Sequence, residues 1–247
     1  MNNTIENIFD DIRNTPNPGR SFEIFCKWFL ENDPYWKTQI DQVWLWEHWP
    51  NNWGKDLGID LIFKHKNGDH WAVQSKFYDN DYYIKKNDVD SFLSESNRPL
   101  IQKRLLIGST DKIGPNAIKV LAGQEKPVIS YLLDDFERSG IEYPKTLNDL
   151  DYNASKAIQN QYRPYQKEAI TKVVKGFKKY DRGKLIMACG TGKTLVALWI
   201  KEQMKPMTTL VLLPSLNLLS QTLFEWTKNA KDDFEVICIC SDESVGK

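Results

Sequence analysis

Gly58-Ile59-Asp60-Leu61-Ile62-Phe63 and Trp71-Ala72-Val73-Gln74-Ser75-Lys76-Phe77 flank Lys66-Asn67-Gly68-Asp69. Two apolar runs around an Asn-Gly signal read as a β-hairpin, with strands over Ile59 to Phe63 and Trp71 to Phe77. The hairpin carries an aspartate at one end and Gln-x-Lys at the other. Hydrolysis of a phosphodiester asks for a divalent ion that polarises the phosphate and acidifies water. Asp60 supplies the hard anionic oxygen that Mg2+ or Mn2+ prefers, and the Gln74 amide oxygen supplies a neutral one. Lys76, two residues on and therefore on the same strand face, can orient the attacking water or stabilise charge on the phosphorane. With one carboxylate fewer than a paired-acid site, one weakly held ion is expected rather than two. Register decides whether these groups meet. A two-residue turn at Asn67-Gly68 would set Asp60 against Ser75, on the face away from Gln74 and Lys76. A working site therefore requires an odd-length loop, such as Asn67-Gly68-Asp69, or a bulge near the aspartate.

Upstream, Phe22, Phe25, Cys26, Phe29 and Leu30 form a helical stripe over Arg20 to Asn32, followed by a strand and loop rich in tryptophan (Trp44, Trp46, Trp49, Trp53). The tryptophans are read as buried packing rather than base-stacking platforms. Downstream come a polar helix near Lys86 to Glu95, a buried strand at Arg104 to Gly108, a short helix at Pro115 to Leu121 and a strand at Val128 to Tyr131. The order α, three strands, α, strand, α, strand is that of a mixed α/β sandwich over residues 1–142. Tyr143-Pro144-Lys145-Thr146-Leu147-Asn148-Asp149 breaks the pattern and opens a linker over 143–160.

From 161 to 247 the rhythm changes. A helix begins at Pro164, and apolar runs at Lys184 to Cys189, Thr208 to Leu213 and Glu235 to Cys240 alternate with helices at Thr194 to Met204 and Leu216 to Lys228. Continuous apolar strands alternating with helices indicate a parallel sheet covered on both faces. Gly190-Thr191-Gly192-Lys193-Thr194 lies between the first strand and its helix, where a phosphate loop belongs. The glycines let backbone N–H groups close on the phosphates of ATP and the helix N-terminus adds its dipole. Lys193 reaches the β/γ-phosphates and the Thr194 hydroxyl can ligate Mg2+. Met187 stands where the strict motif has glycine. Asp242-Glu243 follows an apolar run but comes too soon after Lys193 to be the acidic pair of such a motor, so ATP hydrolysis by this chain is not expected.

Lys+Arg and Asp+Glu both number 33, so no global basic charge announces a nucleic acid. Contact with DNA would rest on local patches such as Lys64-His65-Lys66, Lys85-Lys86 or the run Lys172 to Lys184, each of which also reads as a solvated face. The four cysteines, Cys26, Cys189, Cys238 and Cys240, form no CxxC pair, which argues against a zinc or disulfide framework. Three of the four lie in apolar runs, where burial is expected. The N-terminus lacks a signal-peptide pattern and no apolar run reaches membrane-spanning length, the profile of a soluble protein of a reducing compartment.

The Asp60…Gln74-Ser75-Lys76 pattern resembles the Mrr-like branch of the PD-(D/E)xK nucleases, in which glutamine replaces the second acid. The loop Gly190 to Thr194 resembles that of superfamily 2 helicases. Arg163-Pro164-Tyr165-Gln166 looks like the adenine-reading Q motif, with Gln166 as the base-contacting amide. Pro214-Ser215 looks like the motif that touches the DNA backbone. With Trp46-Glu47-His48-Trp49-Pro50 and Trp53-Gly54-Lys55-Asp56-Leu57-Gly58, the chain is similar throughout to the N-terminal part of type ISP restriction-modification enzymes. That resemblance implies a prokaryotic cytoplasmic enzyme. It implies a Mg2+-dependent endonuclease coupled to an ATP-driven translocase on double-stranded DNA. The rest of the motor, a methyltransferase and a target-recognition domain would lie further along the same polypeptide. It also implies a metal-side carboxylate at Glu23, whose alternative is an ion pair with Lys27 one turn on. Two other readings stay open: a nuclease-helicase of another defence or repair system, and a non-cleaving DNA-binding platform for the motor.

Overall fold

The structure, a computed structural model, describes residues 4–55, 58–150 and 161–240. The chain divides into two compact units near residue 155.

The first unit runs α1 (Ile5–Arg13), α2 (Pro18–Asn32), α3 (Trp36–Gln39), β1 (Ile40–Leu45), β2 (Leu61–His65), β3 (His70–Lys76), α4 (Lys86–Glu95), β4 (Lys103–Gly108), α5 (Pro115–Ala122), β5 (Val128–Tyr131) and α6 (Leu133–Arg138). The strands lie in sequence order, β1 to β3 antiparallel and β3 to β5 parallel. Alternation splits their side chains between two cores. Leu61, Phe63, Trp71, Val73, Leu105 and Ile107 face α1, α2 and α6. Ile62, Ala72 and Leu106 face α4, α5 and the tryptophans Trp46 and Trp49. The tryptophans thus serve packing, as expected. Asn17 starts α2 by accepting the Arg20 N–H (3.1 Å) ahead of Pro18, the two signals that favour a helix start.

The hairpin loop is Lys66-Asn67-Gly68. His65 N–H bonds to Asp69 O (2.8 Å), Gly68 N–H bonds back to His65 O (2.9 Å), and Gly68 takes a φ of +99° that suits only glycine. The loop is odd in length, one residue earlier than the Asn67-Gly68-Asp69 example.

Residues 143–150 do not behave as a linker. Tyr143 is buried with its hydroxyl donating to Phe136 O (2.7 Å), and Leu147 N–H bonds to Asp11 Oδ2 (2.8 Å). Leu147 and Leu150 pack on the α2-side core, so apolar side chains hold this stretch where its Pro and Asn suggested a break. The rest of the expected linker, 151–160, lies outside the described residues, as does Asp242-Glu243.

In the second unit α7 (Pro164–Phe177), α8 (Lys193–Met204) and α9 (Leu216–Asn229) stand where helices were expected. They pack through Ile170, Val196, Leu198, Trp199 and Trp226. The runs 184–189, 208–213 and 235–240 carry no strand assignment, and the one sheet among the described residues is that of the first unit. Ile186 (91%) and Ile239 (92%) stay exposed. A parallel strand holds its place only with ladder partners at its edges and apolar cover on both faces. The same exposure overturns the expected burial of Cys189 and Cys240; Cys26 alone of the four is buried.

Candidate active site

At the open end of the hairpin the register does more than the loop alone dictates. Leu61 pairs with Val73, and continuing that pairing would set Asp60 opposite Gln74. Instead the Asp60 N–H turns to Val73 O (2.9 Å) while its C=O accepts the Trp46 N–H (2.9 Å). Asp60 and Leu61 therefore both stand against Val73, which is a β-bulge. The odd loop flips the aspartate once and the bulge flips it again. Asp60 ends on the α2 side, where its Oδ2 accepts both the backbone N–H (2.6 Å) and the hydroxyl (3.0 Å) of Ser75.

Gln74 and Lys76 point the other way. Gln74 lies in register with Leu106, and Lys76 with Gly108, where Leu132 and Ile84 of the α4–α5 core pack so close that an added Cβ would lie 3.0 and 3.1 Å from them. Asp60 is thus bonded to the residue between Gln74 and Lys76, at the fork where β2 and β3 part. A bulge that follows a turn leaves no mark in residue types.

The α2 side gathers further charge. The buried Cys26 thiol is pushed well up, by burial first and then by the negative charges of Asp60 and Glu23. Glu23 is not paired with Lys27, which instead bonds Glu31. Arg20 Nη1 donates to Glu23 Oε2 (2.7 Å), and the same guanidinium grips the Glu47 carboxylate. The bond to Glu47, more than that to Glu23, lifts the Arg20 pKa against the effect of burial. Burial pushes Glu47 up most, but the bond from Arg20, a backbone hydrogen bond and the positive charges of Arg20 and His48 together outweigh it and hold the carboxyl below its ordinary range. Sequence reading missed Arg20 and Glu47, which are 27 residues apart.

The donor types suit a hard cation. Asp60 and Glu23 are carboxylates, and Gln74 Oε1 is a buried acceptor with no hydrogen-bond partner among the described residues. Among the described residues no group of three His, Cys, Asp or Glu side chains could hold a metal, so an ion held by these would keep much of its water shell. Of the three histidines, His48 adjoins Glu47, while His65 is buried against Gln39 and Trp71 and His70 packs near Trp49. Gly58, at φ +126°, brings the chain into Asp60 so close to α4 that a Cβ would lie 2.9 Å from Phe92 N.

In the second unit Gly190 and Gly192 take φ of +73° and +76°, and α8 begins at Lys193. Lys193 Nζ (3.1 Å) and Thr191 Oγ1 (2.7 Å) both donate to Ala188 O. Gln166 is buried: its Oε1 accepts the Arg163 N–H (2.8 Å) and its Nε2 donates to Thr191 O (2.9 Å). Its amide thus grips the phosphate loop itself. The Thr194 carbonyl accepts the Trp226 indole N–H (2.9 Å). Ser215 accepts the Leu218 N–H (3.3 Å) as the cap of α9, next to Pro214. Of the candidate basic patches, Lys64, Lys86 and Lys172 are each paired with an acid.

These two sites match two families. Residues 31–153 match a restriction endonuclease family, and residues 159–245 match the family of the type III restriction enzyme res subunit. The chain is accordingly a restriction-endonuclease domain joined to a helicase-like region. Among solved structures it is similar to the ATP-dependent type ISP restriction-modification enzyme LlaBIII bound to DNA, at 32% identity and a TM-score of 0.69 over 91% of this chain. The chain spans 15% of that enzyme's length. A weaker likeness joins it to the DNA modification-dependent restriction endonuclease AspBHI (15% identity, TM-score 0.40, covering 61% of this chain and 41% of that one). Curated proteins gave no match. Among the described residues no helix is long and apolar enough to cross a membrane.

Proposed function

We propose that the first unit is a Mg2+- or Mn2+-dependent DNA endonuclease centred on Asp60, and that the second couples it to ATP-driven movement on double-stranded DNA. The observation that carries the reading is the Asp60–Ser75 junction: the carboxylate sits at the fork of β2 and β3, one residue from both Gln74 and Lys76. Asp60 and Glu23 are the carboxylates that would hold the cation, and the orphaned Gln74 oxygen would have to reach it past the fork of β2 and β3, where Asp60 is bonded to the next residue, Ser75. When bound, the ion supplies polarisation of the scissile phosphate and a more acidic water. Lys76 holds or orients the attacking water and offsets negative charge on the phosphate. Lys193 would exchange the Ala188 carbonyl for the β/γ-phosphates of ATP, and Thr194 would face its Mg2+. The likeness to LlaBIII supports a place for this chain at the start of a longer polypeptide with the remaining motor, methyltransferase and target-recognition domains.

The split of Asp60 from Gln74 and Lys76 across β3 favours a second reading, a DNA-binding platform that does not cleave. Supercoiled plasmid with Mg2+ or Mn2+ separates the two. Nicking that both Asp60→Ala and Lys76→Ala abolish is the expected result; nicking that survives Asp60→Ala overturns the assignment. Binding of plasmid without nicking would favour the platform.

A further inference from the structure

The Arg20–Glu23–Glu47 cluster is not explained by packing alone. Arg20 and Glu23 lie one turn apart on α2, which packs on β1 and β3. Glu47 belongs to the turn after β1, and the preceding residue, Trp46, donates its N–H to Asp60 O (2.9 Å). The turn that holds Arg20 is therefore bonded to the backbone of the candidate catalytic aspartate. Arg20 meets Glu47 through both guanidinium nitrogens, Nη1 and Nη2, the forked contact that fixes a guanidinium in direction as well as in place. Its Nη1 then reaches Glu23.

We propose that Arg20 is a positioning residue, clamped by Glu47, that orients Glu23 toward a divalent cation held at Asp60. This rests on the reading of Asp60 as a cation ligand. A positive charge beside such a site should by Coulomb repulsion alone weaken cation binding, so removing it should strengthen binding. A clamp predicts the reverse sign, because an unheld glutamate spends most of its time in other rotamers. Supporting residues of this kind typically change metal affinity by about 10–100-fold.

The test is Mn2+ binding to the full chain, read by calorimetry and by the electron-spin signal of free Mn2+, with thermal melting of each variant alongside. Arg20→Gln should weaken Mn2+ binding by about tenfold without lowering the melting midpoint to match. Arg20→Lys should not restore it, since one ammonium cannot make both contacts. In a Glu23→Ala background Arg20→Gln should no longer weaken binding, the non-additivity of residues that act through one another. Tighter Mn2+ binding in Arg20→Gln, or an equal loss in both backgrounds, overturns the clamp while leaving the site intact. Mn2+ binding unchanged by Asp60→Ala overturns the cation site and the clamp together.

Discussion

The Asp60 carboxylate takes the place of a missing strand: its Oδ2 receives the Ser75 N–H at 2.6 Å, where the next carbonyl of β2 would have stood. β2 begins only at Leu61, and an unpaired N–H at the fork would otherwise face the protein interior without an acceptor. Ser75→Ala removes only the hydroxyl bond, so a loss of about 1 kcal/mol in stability and nicking within a few-fold of wild type are expected. Asp60→Ala strands the Ser75 N–H as well, for about 1–3 kcal/mol. Denaturant melts of the two variants check the order.

Gly58→Ala places a methyl group 2.9 Å from Phe92 N and 3.1 Å from Ser91 C, both backbone atoms of α4 that cannot swing aside. The residue also sits at φ +126°. We expect a loss of about 2–4 kcal/mol together with weaker nicking, because the chain leading to Asp60 must shift. Gly54→Ala, with open space around it, is the control; its φ of +125° confers backbone strain without the clash.

Gln74→Met should separate stability from function. The side chain is 2% exposed and its Oε1 lacks a partner among the described residues, a desolvation cost of about 1–3 kcal/mol. A thioether of similar volume carries no such cost, so the melting midpoint should hold or rise. Nicking should be lost. Retained nicking would remove Gln74 from the site.

Burial holds the His70 imidazole below its usual value of 6.5, with the positive charge of Lys64 acting the same way and Asp69 opposing it. Below 6.5 the unfolded chain takes up this proton before the folded one does, so the unfolded state binds more protons there. The stabilisation is present above the unfolded value and fades as pH falls toward the folded one. His70→Gln should show a shallower fall of melting midpoint with acidification across that window.

ATP binding should be visible from inside the second unit. Trp226 donates its indole N–H at 2.9 Å to the carbonyl of Thr194, the residue whose hydroxyl is expected to face Mg2+. Addition of ATP should change tryptophan emission. Trp226→Phe should abolish the change while binding persists, and Lys193→Ala should abolish the change and the binding.

Much of the first unit was legible because each apolar run carries its own period. The strands at Arg104 to Gly108 and Val128 to Tyr131 emerged within a residue or so of their observed bounds, as did the helix of Lys86 to Glu95. The odd loop was also legible, as one of two devices that would bring the aspartate round, the other being a bulge near it; the hairpin has both. The loop's position was not: an Asn-Gly pair marks a turn without saying whether glycine stands second or third in it. The bulge at Asp60 depends on which carbonyl one N–H selects, and the Arg20–Glu47 contact on the course of 27 intervening residues. Neither is written in local composition. In the second unit the helices were readable from their stripes, whereas strands at 184–189, 208–213 and 235–240 need neighbours that no local pattern supplies.

The bulge has a consequence for how this hairpin can change. Loop length and bulge act as two toggles in series, but they do not carry the same load. Adding or removing a loop residue turns over all of β2, moving Leu61 and Phe63 out of one core and Ile62 out of the other. Ironing out the bulge turns over only what precedes Leu61, carrying the Asp60 carboxylate from Ser75 to the face of Gln74 and Lys76 and withdrawing Ile59 alone from the α4–α5 core. The hairpin thus keeps an adjustable joint at the carboxylate, tied to the packing that makes the domain fold by one core side chain, Ile59, rather than by the whole of β2.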